Sequence, residues 1–157
     1  MNIDLQEIRK KTLPISEYIE KLEQPFQEKF LDRKRMYQLD RESLNHLRQT
    51  TGKHVIVAFS AAWCKECAAN IAVLALISEA TGLEARVFGG IKKDPLSLTR
   101  KWRIPPSPPE AETFQIDKLP TIIVFDWKGN EVDRIIENPR QGFTLEQELC
   151  EIIKSQQ

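Results

Sequence analysis

Apolar and polar positions change their rhythm near residue 50. Before it, apolar side chains recur at helical spacing among charges. Pro14 suits the first turn of a helix, and Tyr18, Ile19 and Leu22 follow it. Pro25 interrupts, and Phe26, Phe30 and Leu31, then Met36, Tyr37 and Leu39, mark a second helix. Asp40 or Ser43 is placed to cap a third, with Leu44 and Leu47 on its buried side. Gly52 then supplies a stop.

Beyond that point short apolar runs alternate with helical patterns. His54–Phe59 is continuous, β-branched and bounded by turn residues, which predicts a buried central strand. Trp63, Cys64, Lys65, Glu66 and Cys67 lead into a helical pattern that runs to Ala80, with Thr81 and Gly82 closing it. Residues 85–88 are a second strand candidate. The doubled Gly89 and Gly90 after them predict a bulge or a close backbone approach. Asp94 and Pro95 open a short helix reaching Trp102, and the cluster Pro105, Pro106, Ser107, Pro108 and Pro109 predicts a stiff extended segment. Thr121–Asp126 is a third strand, Lys128, Gly129 and Asn130 a hairpin turn, and Glu131–Ile136 the returning strand. An amphipathic helix over residues 144–154 ends the pattern, with Leu145, Leu149, Ile152 and Ile153 apolar.

The order is thus helices, then β-α-β-α-β-β-α. It predicts an α/β fold whose central mixed sheet holds a crossover-linked parallel pair and an antiparallel hairpin at its edge, flanked by helices. Residues 1–50 form an N-terminal helical extension and residues 51–157 the α/β domain.

Composition narrows the functions open to such a fold. The chain of 157 residues is 41% hydrophobic, enough for a core, and its 23 basic and 23 acidic residues cancel. That balance carries no electrostatic footprint for nucleic acid or for an anionic membrane. No apolar stretch approaches the length of a membrane span, and the charged start of the chain does not resemble a secretion signal. A cytoplasmic location is expected. Three cysteines are a poor number for a structural framework. A close pair with a distant single fits a working site with a spare, since cytosolic disulfides are mostly transient and catalytic.

Cys64 and Cys67 carry that chemistry. At a helix N-terminus, unpaired N–H groups and the positive helix end favour a thiolate on the first cysteine, lowering its pKa from ~8.5 to about 3.5–7.5. Two intervening residues place the second cysteine one turn behind it. Cys64 is therefore expected as nucleophile and Cys67 as the resolving thiol. Lys65 favours the thiolate and Glu66 opposes it. Zinc is the competing use of such a pair, but it wants four ligands, and only Cys150, His46 and His54 remain to supply them. No metal and no cofactor are expected. Cys150 reads as a small buried hydrophobe.

The strand running into Ala62, Trp63, Cys64 and Cys67, the long helix, and Leu119-Pro120-Thr121 opening an apolar strand resemble the thioredoxin superfamily over roughly residues 52–155. The N-terminal helices and the stretch from Cys67 to Leu74 are similar to a prokaryotic thioredoxin-like branch with a helical N-terminal extension. The resemblance implies a thioredoxin-like fold. It also implies a cis Leu119–Pro120 peptide facing the cysteines, and substrate binding by Trp63, Leu119 and Pro120 beside the loop of Glu137, Asn138 and Pro139. The expected activity is protein-disulfide reduction in the cytosol, with protein disulfides as substrates and an upstream reductase as partner. The alternative is a redox-sensing or protein-binding adaptor with little turnover.

The sequence departs from the family pattern at three places. Ala58 stands where thioredoxins carry a buried acid, and alignment sets Phe88 at its lysine partner. Ala72 replaces the proline that usually kinks the active-site helix. Lys65 and Glu66 replace Gly-Pro or Gly-His between the cysteines. With the acid gone, Glu66 is the expected proton-transfer group for Cys67.

Overall fold

The computed structural model describes residues 2–92, 96, 102 and 107–156. Along the chain run α1 (Leu5–Lys11), β1 (Leu13–Pro14), α2 (Ile15–Glu20), α3 (Phe26–Met36), α4 (Arg41–Arg48), β2 (His54–Phe59), α5 (Lys65–Thr81), β3 (Glu84–Phe88), α6 (Glu110–Thr113), β4 (Thr121–Asp126), β5 (Glu131–Ile136) and α7 (Leu145–Lys154). The sheet order is β1-β3-β2-β4-β5. β2 and β3 are parallel, joined by the α5 crossover, while β4 and β5 add antiparallel strands on the other side. This is the mixed sheet the alternation predicts. β2 is buried at every position because it is central and covered on both faces.

Side chains alternate across the sheet, and the register sorts them. Val55, Val57 and Phe59 share a face with Glu84, Arg86 and Phe88. Phe59 stacks on Phe88 with centroids 4.7 Å apart, and Phe114, at the end of α6, packs against Phe59 and Phe125. α1 lies on this face, where Arg9 pairs with Glu84 at 2.9 Å and Arg86 donates to the Arg9 and Thr12 carbonyls. Ile56 and Ala58 point to the opposite face, under α5 and the helices packed on it.

Two sequence expectations change here. The register partner of Ala58 is Val87, whereas Phe88 belongs to Phe59 on the other face. The position beside the missing acid is therefore Val87, one residue earlier than alignment sets it. The replacement is still apolar on both sides, so no uncompensated charge is buried. Within the N-terminal region, residues 13 and 14 are not helical. They pair antiparallel with β3 and close that edge of the sheet. The register needs only two residues, too few to leave an alternating pattern in the sequence. Pro14, read as a first-turn residue, is the N-cap of α2.

The rest of the N-terminal region packs as the helical reading implied. Phe30 of α3 is fully buried and meets Tyr18 edge-on. Asp40 caps α4 by accepting from the Ser43 N–H. The second helix stops at Met36, and Tyr37 turns inward, its hydroxyl donating to Glu146 of α7 at 2.8 Å. Glu146, wholly buried, also accepts from the Asp40 N–H at 2.8 Å. Thr144 caps α7 in a reciprocal pair with Gln147. Apart from Leu96 and Trp102, the helix expected from Asp94 to Trp102 lies outside the described residues, as do Pro105 and Pro106. Beyond them the proline cluster does not stay extended, because Pro109 begins the short α6. Among the described residues, no helix is long and apolar enough to cross a membrane.

The Glu146 junction makes the fold testable. Glu146→Ala strips a part-buried hydroxyl and a part-buried N–H of their acceptor, and hydrogen bonds to charged groups contribute about 1.5–3 kcal/mol each. Urea unfolding should show a loss of about 2–4 kcal/mol for Glu146→Ala, and roughly half of that for Tyr37→Phe.

Candidate functional site

β2 delivers the chain into the site, and the chain stays ordered one residue past the strand: the Ser60 N–H donates to the Phe88 carbonyl at 3.0 Å. By the strand's alternation Ser60 lies on the α5 face, like Ala58 two residues before it. After a tight passage through Ala61 and Trp63, Cys64 becomes the N-cap of α5. Its Sγ accepts the Cys67 N–H at 3.3 Å, and so does for α5 what a Ser or Asp oxygen does at other helix starts. Gly82, at φ 80°, ends the helix as the sequence indicates.

Cys64, Cys67 and Cys150 are free thiols. Cys64 keeps 8% of its surface exposed, whereas Cys67 is fully covered. Hydrogen bonding from the Cys67 thiol, with the Cys67 N–H behind it, pulls the Cys64 pKa down to about 7 against burial and the charge of Glu66. Burial and the bond to Cys64 push the Cys67 thiol strongly up. The outer cysteine is thus poised to ionise near neutral pH and the inner one holds its proton. Of the two residues between them, Lys65 is exposed, and the Glu66 carboxylate works against the Cys64 thiolate.

The Leu119–Pro120 peptide is cis, as the resemblance implied, and the Leu119 carbonyl accepts from the Cys64 thiol at 3.6 Å. Trp63 is 55% exposed at the rim, its ring 6.4 Å from that of buried Trp102. Trp102 is anchored by donating its indole N–H to the Asp117 carbonyl at 2.9 Å. Ile136, the register partner of Thr121 next to Pro120, is a second exposed apolar side chain. The loop after it is fixed twice. The Glu137 N–H donates to the Pro120 carbonyl at 2.7 Å, and Asn70 of α5 reaches the Glu137 carbonyl and the Asn138 side chain, both at 3.0 Å.

Three residues at the site carry no sequence signal of their own. Asn70 reads as one more helical position. Ser60 reads as a linker between strand and motif. Tyr18 reads as an apolar helix residue, yet its hydroxyl lies 3.1 Å from Ser60 Oγ. The doubled glycine was the available clue. A Cβ on Gly89 would sit 2.8 Å from the Tyr18 ring, so the close approach that the glycines predict is to Tyr18.

Other candidates stay outside the site. Cys150 is buried on α7, donates to the Ser43 carbonyl at 3.3 Å, and has its pKa raised by burial. His54 opens β2, far down the strand from the cysteines. Among the described residues no cluster of His, Cys, Asp or Glu is arranged to hold a metal ion.

A dithiol at the head of the crossover helix, facing a cis-proline loop on a mixed sheet, defines a thioredoxin-like protein. A thioredoxin family model matches residues 12–149, and the chain belongs to that family. The match begins well inside the N-terminal region and takes in β1, α2 and α3 with the sheet. No curated protein matches the sequence. Among solved structures the chain is similar to a protein of unknown function from Pseudomonas aeruginosa, at 14% identity and TM-score 0.73 over 99% of both chains. It is also similar to an HIV epitope scaffold, at 14% identity and TM-score 0.72, over 98% of this chain and 99% of the other. At such identity these likenesses show the fold alone.

The thiol ladder gives a direct check. Alkylation of native protein by iodoacetamide should modify Cys64 first, with a rate that rises to half its plateau near pH 7. Glu66→Gln removes a charge that opposes the thiolate, so its profile should move to lower pH. A profile for Cys64 centred near that of a free thiol, about 8.5, would contradict the cap.

Proposed function

We propose that the protein is a thiol–disulfide oxidoreductase that reduces protein disulfides through Cys64 and Cys67. The observation that carries this reading is the contrast within the pair. Cys64 is capped by an N–H, lowered to about 7 and keeps a small exposed edge, with the fully covered Cys67 held protonated behind it. The Cys64 thiolate attacks one sulfur of a substrate disulfide, and the other substrate sulfur leaves as a thiolate. Cys67 then loses its proton and attacks Cys64 Sγ. The second substrate thiolate departs, and the enzyme is left with a Cys64–Cys67 disulfide. Two electrons have passed to the substrate, and a reductase of the dithiol type must return them.

The docking surface in this reading is apolar, with Trp63 and Ile136 on its rim and the Leu119 carbonyl available to a substrate backbone N–H. Leu119 and Pro120 would thus orient the peptide carrying the disulfide. A reducing compartment, the cytosol, keeps such a dithiol in its active form. Supply of electrons by an upstream reductase belongs to the same proposal.

Insulin reduction followed by turbidity tests it. Wild-type protein should accelerate the reaction, and Cys64→Ser should fall to the uncatalysed rate. Cys67→Ser should accumulate a mixed disulfide on Cys64 that dithiothreitol releases. Absence of both turnover and adduct would leave the adaptor alternative in place.

A further inference from the structure

In this family fold a resolving thiol buried under α5 must lose a proton, and the position that would take it is empty here. Ala58 and its neighbour Val87 are both apolar and buried. Glu66 is half-buried in the first turn, and its charge acts on Cys64. The Ala61 N–H and the Ser60 hydroxyl both act on the Cys67 thiol, drawing its pKa down against burial, and strand alternation puts Ser60 on the α5 face that carries Cys67. Ser60 is wholly buried, and its second hydroxyl contact is the Tyr18 hydroxyl at 3.1 Å, in which either oxygen can donate. Tyr18 in turn lines two surface clefts. One is bordered by Leu22, Ala61, Trp63 and Ile91, the other by Lys10, Lys21 and Gly90.

We propose that Ser60 and Tyr18 form a proton relay that carries the Cys67 proton from beneath α5 to the solvent cleft behind Trp63. The inference rests on the exchange reading given above. In the resolving step the Cys67 S–H bond breaks and its proton goes to Ser60 Oγ. The proton already on Ser60 passes to the Tyr18 hydroxyl oxygen, and the Tyr18 proton passes to water in the cleft. The electron pair left on Cys67 Sγ forms the bond to Cys64 Sγ. The substrate sulfur leaves with the pair of the broken bond and takes up a proton from water. No net charge is stored on either hydroxyl, so the relay needs no buried carboxylate. Burial holds the Tyr18 pKa up at about 12, which keeps it a neutral donor through the physiological range.

The placement of Tyr18 is built rather than incidental. Its ring is seated edge-on to Phe30 and close against Gly89, where any side chain would displace it. A phenylalanine would satisfy that packing. Among the described residues the hydroxyl's hydrogen-bond partner is Ser60.

The test uses full-length protein and 5,5′-dithiobis(2-nitrobenzoate) as the disulfide. Attack by Cys64 releases a first coloured thiolate, and attack by Cys67 on the adduct releases a second, so one stopped-flow trace reads the steps apart. Tyr18→Phe and Ser60→Ala should leave the first release unchanged and slow the second about tenfold or more, below the ceiling of about 10²–10⁴ for proton-transfer help. Ser60→Thr, which keeps a hydroxyl, should restore the second phase. In wild type the second phase should slow in D2O more than the first, and this excess should shrink in Tyr18→Phe. A second phase at the wild-type rate in both variants overturns the relay. Slowing in Glu66→Gln, with Tyr18→Phe at the wild-type rate, assigns the proton to Glu66 and also overturns it. A first phase no faster than that of a free thiol would remove the exchange reading instead, and the second phase in the same trace still decides the relay.

Discussion

The site depends on one sulfur serving as a helix cap. Cys64 Sγ takes the N–H that α5 leaves unpaired at its start, and this fixes where the helix begins. Starting there, Cys67 falls one turn on and inward, under cover. Had a serine or aspartate capped the helix a residue earlier or later, the second thiol would have rotated by about 100° per residue, out of line with the first. The cap also stabilises negative charge on sulfur, because the N–H that orients the helix adds to the larger hydrogen bond from the Cys67 thiol. Geometry and reactivity therefore have the same cause, and the cis-proline loop and Trp63 are arranged around it.

That cap is held in place from below by the N-terminal region. α2 and α3 pack on α5, β1 closes the sheet beside β3, and Tyr37 and Asp40 tie the segment to α7 through buried Glu146. Residues 1–50 are distinct as a sequence pattern but share one hydrophobic core with the rest of the chain. Truncating them would uncover one side of the active-site helix. The family match, which begins at residue 12, is consistent with this shared core.

Much of this was legible in the sequence. His54–Phe59, Thr121–Asp126 and Glu131–Ile136 are each bounded by turn residues, and their strands begin and end where the pattern places them. Cys64 and Cys67 were legible because the pair stands at the junction of a strand and a helix, the one place where a thiolate gains a helix dipole. What was not legible depends on contacts distant in sequence. A two-residue strand has no period. Nothing near Asn70 signals that it will meet a loop 67 residues later. The alignment to Phe88 failed because a parallel register is set by packing, and a shift of one residue moves a side chain to the other face of the sheet. Ser60 and Tyr18 are 42 residues apart, and only the glycine that admits the tyrosine ring hinted at a neighbour.

Loss of the buried acid and its cation has an energetic logic. An isolated carboxylate under α5 would need a partner or would hold its proton, and a partnered one carries a desolvation cost that packing with Ala58 and Val87 avoids. Hydroxyls can be buried more cheaply, since each both donates and accepts and a pair satisfies itself. Ser60 and Tyr18 meet that condition with two side chains from opposite ends of the site, one just past the central strand and one on α2. The arrangement exchanges a titrating base for a neutral wire. A carboxylate would impose its own pKa on the resolving step, whereas two hydroxyls that do not ionise near neutral pH impose none. In such a site the pH dependence of turnover is set by the Cys64 thiolate alone, and the tuning of the pair passes from a buried charge to Glu66 at the helix start.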